Sequence, residues 1–223
     1  MKVKIIGILL FIAFCTASVH GQNLKNEVDS LSYAFGVLFG KNIQAGGFQT
    51  INADIFAQTI RKVLQNEAQD ITLEQANMIV NTQYMKNQQL KSEKNLAEGR
   101  AFLNVNKTAP GVVTLPSGLQ YKVITMGTGD KPAATDKVTV HYKGTLLNGT
   151  VFDSSFQRNQ PAEFLVNGVI AGWTEALQLM PVGSQWILYI PSELAYKERQ
   201  MQGSPIEPNS TLIFEVELIS INN

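Results

Sequence analysis

Few side chains in this 223-residue chain are equipped for covalent or metal chemistry. It holds one cysteine, Cys15, and two histidines, His20 and His141. Cys15 and His20 fall in a leader-like N-terminal stretch, which leaves His141 alone. One histidine supports neither a multi-histidine metal site nor a histidine-based nucleophile relay. There is no Gly-x-Ser-x-Gly elbow and no phosphate-binding loop, which argues against a hydrolase or a nucleotide-dependent enzyme. What remains is a set of aromatic and apolar residues around a few polar groups, suited to holding a substrate rather than cutting it. They cluster in five ordered motifs: Val140-His141-Tyr142-Lys143-Gly144; Gly149-Thr150-Val151-Phe152-Asp153-Ser154-Ser155; Val169-Ile170-Ala171-Gly172-Trp173; Leu194-Ala195-Tyr196; and Pro208-Asn209-Ser210-Thr211-Leu212-Ile213-Phe214.

In these motifs the chain resembles the FKBP-type peptidyl-prolyl cis-trans isomerases over roughly residues 115–223. The Ser117-Gly118-Leu119-Gln120-Tyr121 entry and the helical stretch 29–40 further resemble two-domain bacterial members of the macrophage infectivity potentiator type. The resemblance implies a proline pocket with Tyr142, Asp153, Ile170 and Tyr196 in catalytic roles. Phe152, Arg158, Phe164, Val169, Trp173, Ile206 and Phe214 would line or flank it, with Trp173 as its floor. The Ile170 N–H and the Tyr196 hydroxyl would hold substrate carbonyls, and Asp153 would accept from Tyr142 and accompany Arg158. Neither cofactor nor metal is implied. Macrolide inhibitors are implied as ligands.

Such a site has a simple physical task. Rotation about an X-Pro bond is slow because the twisted amide loses its resonance, at a barrier of about 18–20 kcal/mol. No bond forms or breaks, so a pocket that fits the twisted amide better than the planar one suffices, each factor of ten needing about 1.4 kcal/mol of differential binding. Taken singly, Phe152, Val169 and Phe214 read as core residues and Asp153-Ser154 as a turn or cap. The order of the motifs reverses that reading. Three positions depart from the family pattern: Ala162 where an aromatic is common, Lys197 where glycine is usual, and Glu207 in place of the first of two prolines. Ala162 predicts a thinner pocket wall and weaker macrolide binding, and the 197–207 loop, with Met201 and Ile206, is expected to overhang the pocket.

The elements that must carry these residues are legible from periodicity. After Pro110-Gly111 the pattern is one of short strands: 119–125, 137–142, a hairpin about Asn148-Gly149, 185–190 and 211–219, interrupted by one short helix near 174–179. Upstream the pattern is helical. Leu24, Val28, Leu31, Phe35 and Leu38 share one face, ended by Gly46-Gly47. Asn52 or Asp54 caps a second helix carrying Ile55, Phe56, Ile60, Val63 and Leu64. Thr72-Leu73-Glu74-Gln75 forms a capping box opening a third helix that continues to about 105. Beyond Met85 that helix is polar nearly all round, as in a helix that bridges separate bodies, with Gly99 as its weak point. The fold class expected is α+β: a C-terminal antiparallel half-barrel wrapped on a short helix, preceded by an all-α module and a long connecting helix. The expected organisation is a signal peptide over 1–21, a helical dimerisation module over 22–84, a connecting helix and linker over 85–109, and the isomerase domain over 110–223.

Lys2 and Lys4 followed by the apolar run 5–14 have the layout of a signal peptide, too short to cross a bilayer. Cleavage after Gly21 is expected, with Ala17 as an alternative. Lipidation of Cys15 is a second alternative, disfavoured by bulky Phe14. Export to a bacterial periplasm follows. Removing Lys2 and Lys4 from a balance of 18 basic and 18 acidic residues leaves a slight acidic excess, and hence no electrostatic case for nucleic acid. The expected partners are proline-containing unfolded or partly folded proteins and a second copy of the chain, paired through the N-terminal helices. The two short helices and the start of the third offer only about 60 residues, close to the size at which a lone core is marginal, and a self-contained mini-bundle is the alternative to pairing. The expected function is isomerisation of X-Pro bonds during folding of exported proteins; the alternative is a holdase or binding protein with little turnover.

Overall fold

A computed structural model of the chain describes residues 24–201 and 203–222; the expected leader and Cys15 lie outside the described residues. Helix α1 spans Glu27–Ala45, α2 Ala53–Leu64, α3 Leu73–Asn106 and α4 Ala171–Leu177. Strands are β1 (Val112–Thr114), β2 (Gln120–Thr125), β3 (Lys137–Leu146), β4 (Val151–Ser154), β5 (Ala162–Leu165), β6 (Gln185–Ile190) and β7 (Leu212–Asn222). The chain divides into a unit through Gln49, which contains α1, and a unit from Thr50 onward, which contains everything else.

The helices start where the capping residues place them. The Asn26 side chain accepts from the Asp29 N–H at 2.9 Å, and that of Asn52 from Asp54 and Ile55, both at 3.1 Å. Thr72 and Gln75 close a reciprocal capping box, each side chain accepting from the other's N–H. Within the first unit, α1 leaves Val28, Leu31, Phe35 and Leu38 exposed along one face. In the second, α2 exposes Ile55, Ile60, Val63 and Leu64, and the first turns of α3 expose Leu73, Ile79 and Val80.

The seven strands form one antiparallel sheet in the order β1-β2-β6-β7-β3-β4, with β5 paired to the first half of β3. Burial alternates residue by residue along β3, β6 and β7, as period-two sequences with one apolar face require. The inner face contributes Val138, Val140, Leu188, Ile190, Leu212, Val216 and Leu218, and α4 lays Trp173, Ala176 and Leu177 into the same core. This is the expected half-barrel on a short helix. Strands β1 and β5, absent from the sequence-based expectation, have three and four residues, too short for periodicity to register.

Helix α3 departs from the expectation of a bridge that is polar all round. It runs unbroken through Gly99, its one buried residue, and its C-terminal half lies against the strand domain. A Cβ at Gly99 would come within 2.2 Å of Thr211 Oγ1, so glycine there permits close approach. The Phe102 and Tyr189 rings meet at 5.9 Å. The buried Gln120 side chain donates to the Leu103 carbonyl and accepts from Asn106, both at 2.8 Å. Polar residues that read as solvated are docking groups, which hydropathy alone does not reveal.

Candidate functional site

Between the inner face of the sheet and α4 opens a pocket of about 830 Å³. Every residue expected there lines it except Arg158: Tyr142, Phe152, Asp153, Phe164, Val169, Ile170, Trp173, Tyr196, Ile206 and Phe214. Each comes from an element with a reason to place it. Tyr142 and Phe214 sit on inward-facing registers of β3 and β7. Phe152 and Asp153 follow the Asn148-Gly149 turn into β4, where Gly149 takes φ +82°. Val169 and Ile170 precede α4, and the Ile170 carbonyl accepts from Trp173 and Thr174 to start that helix.

The floor is an aromatic box. The Trp173 ring meets Tyr142, Phe164 and Phe214 edge-on, with centroids at 5.4, 5.8 and 5.2 Å and interplanar angles of 80–89°. Phe152 meets Phe214 in the same manner at 5.4 Å. Edge-to-face contacts of this kind hold rings rigidly. The strand beneath must lack a side chain for these rings to fit: a Cβ on Gly144 would stand 2.5 Å from Phe152 and 2.8 Å from Phe214. Trp173 Nε1 is buried without a hydrogen-bond partner among the described residues.

One wall is polar. The Tyr142 hydroxyl donates to Asp153 Oδ2, Arg158 donates to Asp153 Oδ1, and Arg158 also donates to the Tyr142 hydroxyl at 2.9 Å. Arg158 thus stands behind the wall and orients it without lining the pocket. Burial pushes the Asp153 carboxyl up, but hydrogen bonds from Tyr142 and Arg158, the guanidinium charge and the Ser154 N–H outweigh it and hold the group below the usual carboxylate range. Tyr142 is raised above the ordinary phenol value by burial and then by its bond to Asp153, with Arg158 opposing. Tyr196 is raised by burial and by the Asp153 charge. Two donors stay available: neither the Ile170 N–H nor the Tyr196 hydroxyl finds an acceptor among the described residues.

A family model described as "FKBP-type peptidyl-prolyl cis-trans isomerase" matches residues 128–219, and one described as "Domain amino terminal to FKBP-type peptidyl-prolyl isomerase" matches 28–123. The chain belongs to the FKBP-type peptidyl-prolyl cis-trans isomerases. It is 44% identical to a protein named outer membrane protein MIP from Legionella longbeachae, over 99% of this chain and 98% of that one. It is 42% identical to the FKBP-type 22 kDa peptidyl-prolyl cis-trans isomerase of Escherichia coli K12, over 85% of this chain and 93% of that one. The crystal structure of FkpA from Escherichia coli superimposes with a TM-score of 0.71 at 31% identity, covering 89% of this chain and 98% of that one. The protein is therefore a peptidyl-prolyl cis-trans isomerase of the FKBP type.

Several features of this isomerase escaped the sequence reading. Ala171, Glu193 and Ala195 also line the pocket, small or charged residues with no aromatic signal to mark them, and Arg199 and Ser204 join Met201 and Ile206 from the overhanging loop. Ala162 shares a face of β5 with Phe164, but only Phe164 lines the pocket, so the wall there carries one ring. Lys197, where glycine is usual, adopts φ +56°, the left-handed region in which a side chain is disfavoured.

Proposed function

We propose that this pocket is where the X-Pro amide turns, and that the protein assists the folding of exported proteins in a bacterial envelope as a homodimer. The single observation that carries the site assignment is the aromatic box beside two unclaimed donors. Trp173, Tyr142, Phe164 and Phe214 enclose an apolar space, with the Ile170 N–H and the Tyr196 hydroxyl at its edge. A proline ring resting on Trp173 leaves water, and water is what favours the charge-separated planar amide. The Ile170 N–H and the Tyr196 hydroxyl then hold carbonyls of the peptide while the prolyl side rotates. The Tyr142–Asp153–Arg158 cluster keeps one wall fixed, and its groups need not change protonation.

The envelope location rests on the signal-peptide layout of the first 21 residues and on the likeness to a protein named for the outer membrane. Among the described residues no helix is long and apolar enough to cross a membrane. Pairing of chains rests on the apolar faces of α1 and α2, since large exposed apolar patches mark interaction surfaces. Two pockets joined in one particle can engage one unfolded chain at more than one point.

Isomerisation of a short proline peptide by wild type and by Asp153→Ala tests the site. The substitution should lower kcat/KM tenfold or more, about 1.4 kcal/mol in the transition state, with a smaller effect on stability. Full activity in a still-folded Asp153→Ala, Trp173→Ala double variant would sink the assignment.

A further inference from the structure

The rim of the pocket is held from outside the strand domain. Residues 196–210 contribute Tyr196, Lys197, Arg199, Met201, Ser204 and Ile206 to the lining, yet the described part of this segment contains neither helix nor strand. Besides local turn hydrogen bonds, it is held by contacts remote in sequence, and those run to one face of α3. The Tyr84 hydroxyl donates to Gln200 Oε1 at 3.0 Å. Lys91 Nζ lies 2.9 Å from Glu207 Oε1. Asn95 Nδ2 donates to the Pro208 carbonyl at 2.9 Å and to Glu207 Oε2 at 3.4 Å. Asn209 Nδ2 donates to Ser92 Oγ at 2.8 Å, while the Asn209 N–H donates to the Lys197 carbonyl at 2.7 Å. Positions 84, 91, 92 and 95 fall on one stripe of a helix, and this stripe faces the rim.

From this geometry we propose that Lys91, Ser92 and Asn95 are positioning residues for the isomerase: α3 sets the conformation of the rim, and the rim selects the residue next to proline in the substrate. The inference rests on the pocket being the site of isomerisation. Two features favour selection over mere anchoring. The rim places Met201 and Ile206 at the pocket, apolar side chains suited to a bulky apolar neighbour of proline. The Lys91–Glu207 pair is partly exposed on both sides, so it contributes little to global stability and its main effect is local: which way the loop lies. The Glu207 carboxylate supplies the side-chain acceptor that both Lys91 and Asn95 reach. The left-handed Lys197 is braced by the same network through Asn209.

The test uses the full chain and two peptides, one with leucine and one with alanine before proline, measured for kcat and KM separately. Lys91→Glu should place two carboxylates together and release the rim. The ratio of kcat/KM for the leucyl over the alanyl peptide should fall at least twofold, through KM rather than kcat. Exchanging the charges, Lys91→Glu with Glu207→Lys, should bring the ratio back to within twofold of wild type. Lys91→Met, which keeps the stem and loses the charge, serves as the second variant if Lys91→Glu does not fold, with the same fall expected. A ratio that stays within twofold of wild type in the folded variants, or a fall that the charge exchange fails to reverse, overturns the proposal. Failure of the two readings is distinguishable. If Asp153→Ala is inactive while the α3 variants keep the wild-type ratio, only the role of α3 is lost; if Asp153→Ala is fully active, the pocket itself is wrongly placed.

Discussion

Asp153 is where opposing effects on one group can be weighed. Burial alone would favour its neutral form, but two side-chain donors and a neighbouring guanidinium prevail, and the folded pKa is depressed. A carboxyl held low in the folded state adds stability that is fully present above its unfolded value, near 3.9, and is lost as pH falls through the folded value. The difference in urea midpoint between wild type and Asp153→Asn should therefore be constant between about pH 7 and pH 5 and shrink progressively as pH falls below about 4. A difference that persists undiminished at the acid end would show that the carboxylate charge is irrelevant to the cluster. Tyr142 works in the opposite sense. Its raised pKa makes its contribution complete below the ordinary phenol value near 10 and lost only as pH rises beyond that. At this scale the sequence was informative: the partners Tyr142, Asp153 and Arg158 were legible from motif resemblance, and the structure brings them together. The lining residue Glu193 was not, because nothing in a charged residue's type says that the chain will turn it toward a cavity.

Among the elements, α3 shows how close packing can invert a propensity argument. Gly99→Ala in an exposed helix interior would stabilise by about 1 kcal/mol. Here the added Cβ would lie 2.2 Å from Thr211 Oγ1 and 3.3 Å from Thr211 Cβ, and Thr211 is buried. Overpacking of this kind typically costs about 1–3 kcal/mol, so Gly99→Ala should lower the melting temperature. Adding Thr211→Ala, which removes the obstructing oxygen, should restore most of it. Thermal unfolding of the single and double variants decides, and a stabilised Gly99→Ala would mean that α3 does not rest where the structure has it. The start of α3 was readable to the residue from Thr72 and Gln75, because capping is local chemistry. Its docking was not, since Lys91, Ser92 and Asn95 look the same in sequence whether they meet water or polar groups 113 to 117 residues away.

For the whole molecule, the expectation concerns oligomeric state and the separability of parts. Full-length protein should sediment as a dimer, and a chain beginning near residue 72, without α1 and α2, as a monomer. That shorter chain keeps the docked half of α3 and should isomerise short peptides about as well as the full protein. A chain beginning at 112 should do worse, because Gln120 loses both partners and residues 196–210 lose their braces. On proline-limited refolding of a whole protein, the monomeric chain should lag the dimer by much more than it does on peptides. Equal performance of dimer and monomer on both substrates, or a monomeric full-length protein, would refute the role given to the helices.

Across the molecule, local and periodic information sufficed for a good part of the fold. Alternation along β3, β6 and β7, the Asn148-Gly149 turn, the helix caps and the change of period after Pro110 are all short-range, and each is visible in a window of about ten residues. The ordered motifs added the family and the membership of the pocket. What the tertiary structure decided is what depends on residues far apart: that β5 pairs with β3, that Gly144 must be bare for two rings to lie over it, that Arg158 stands behind the wall, and that a polar helix is seated on the strand domain and braces the pocket rim. A polar side chain has the same identity in solvent and in an interface, and only the three-dimensional path of the chain brings it a partner.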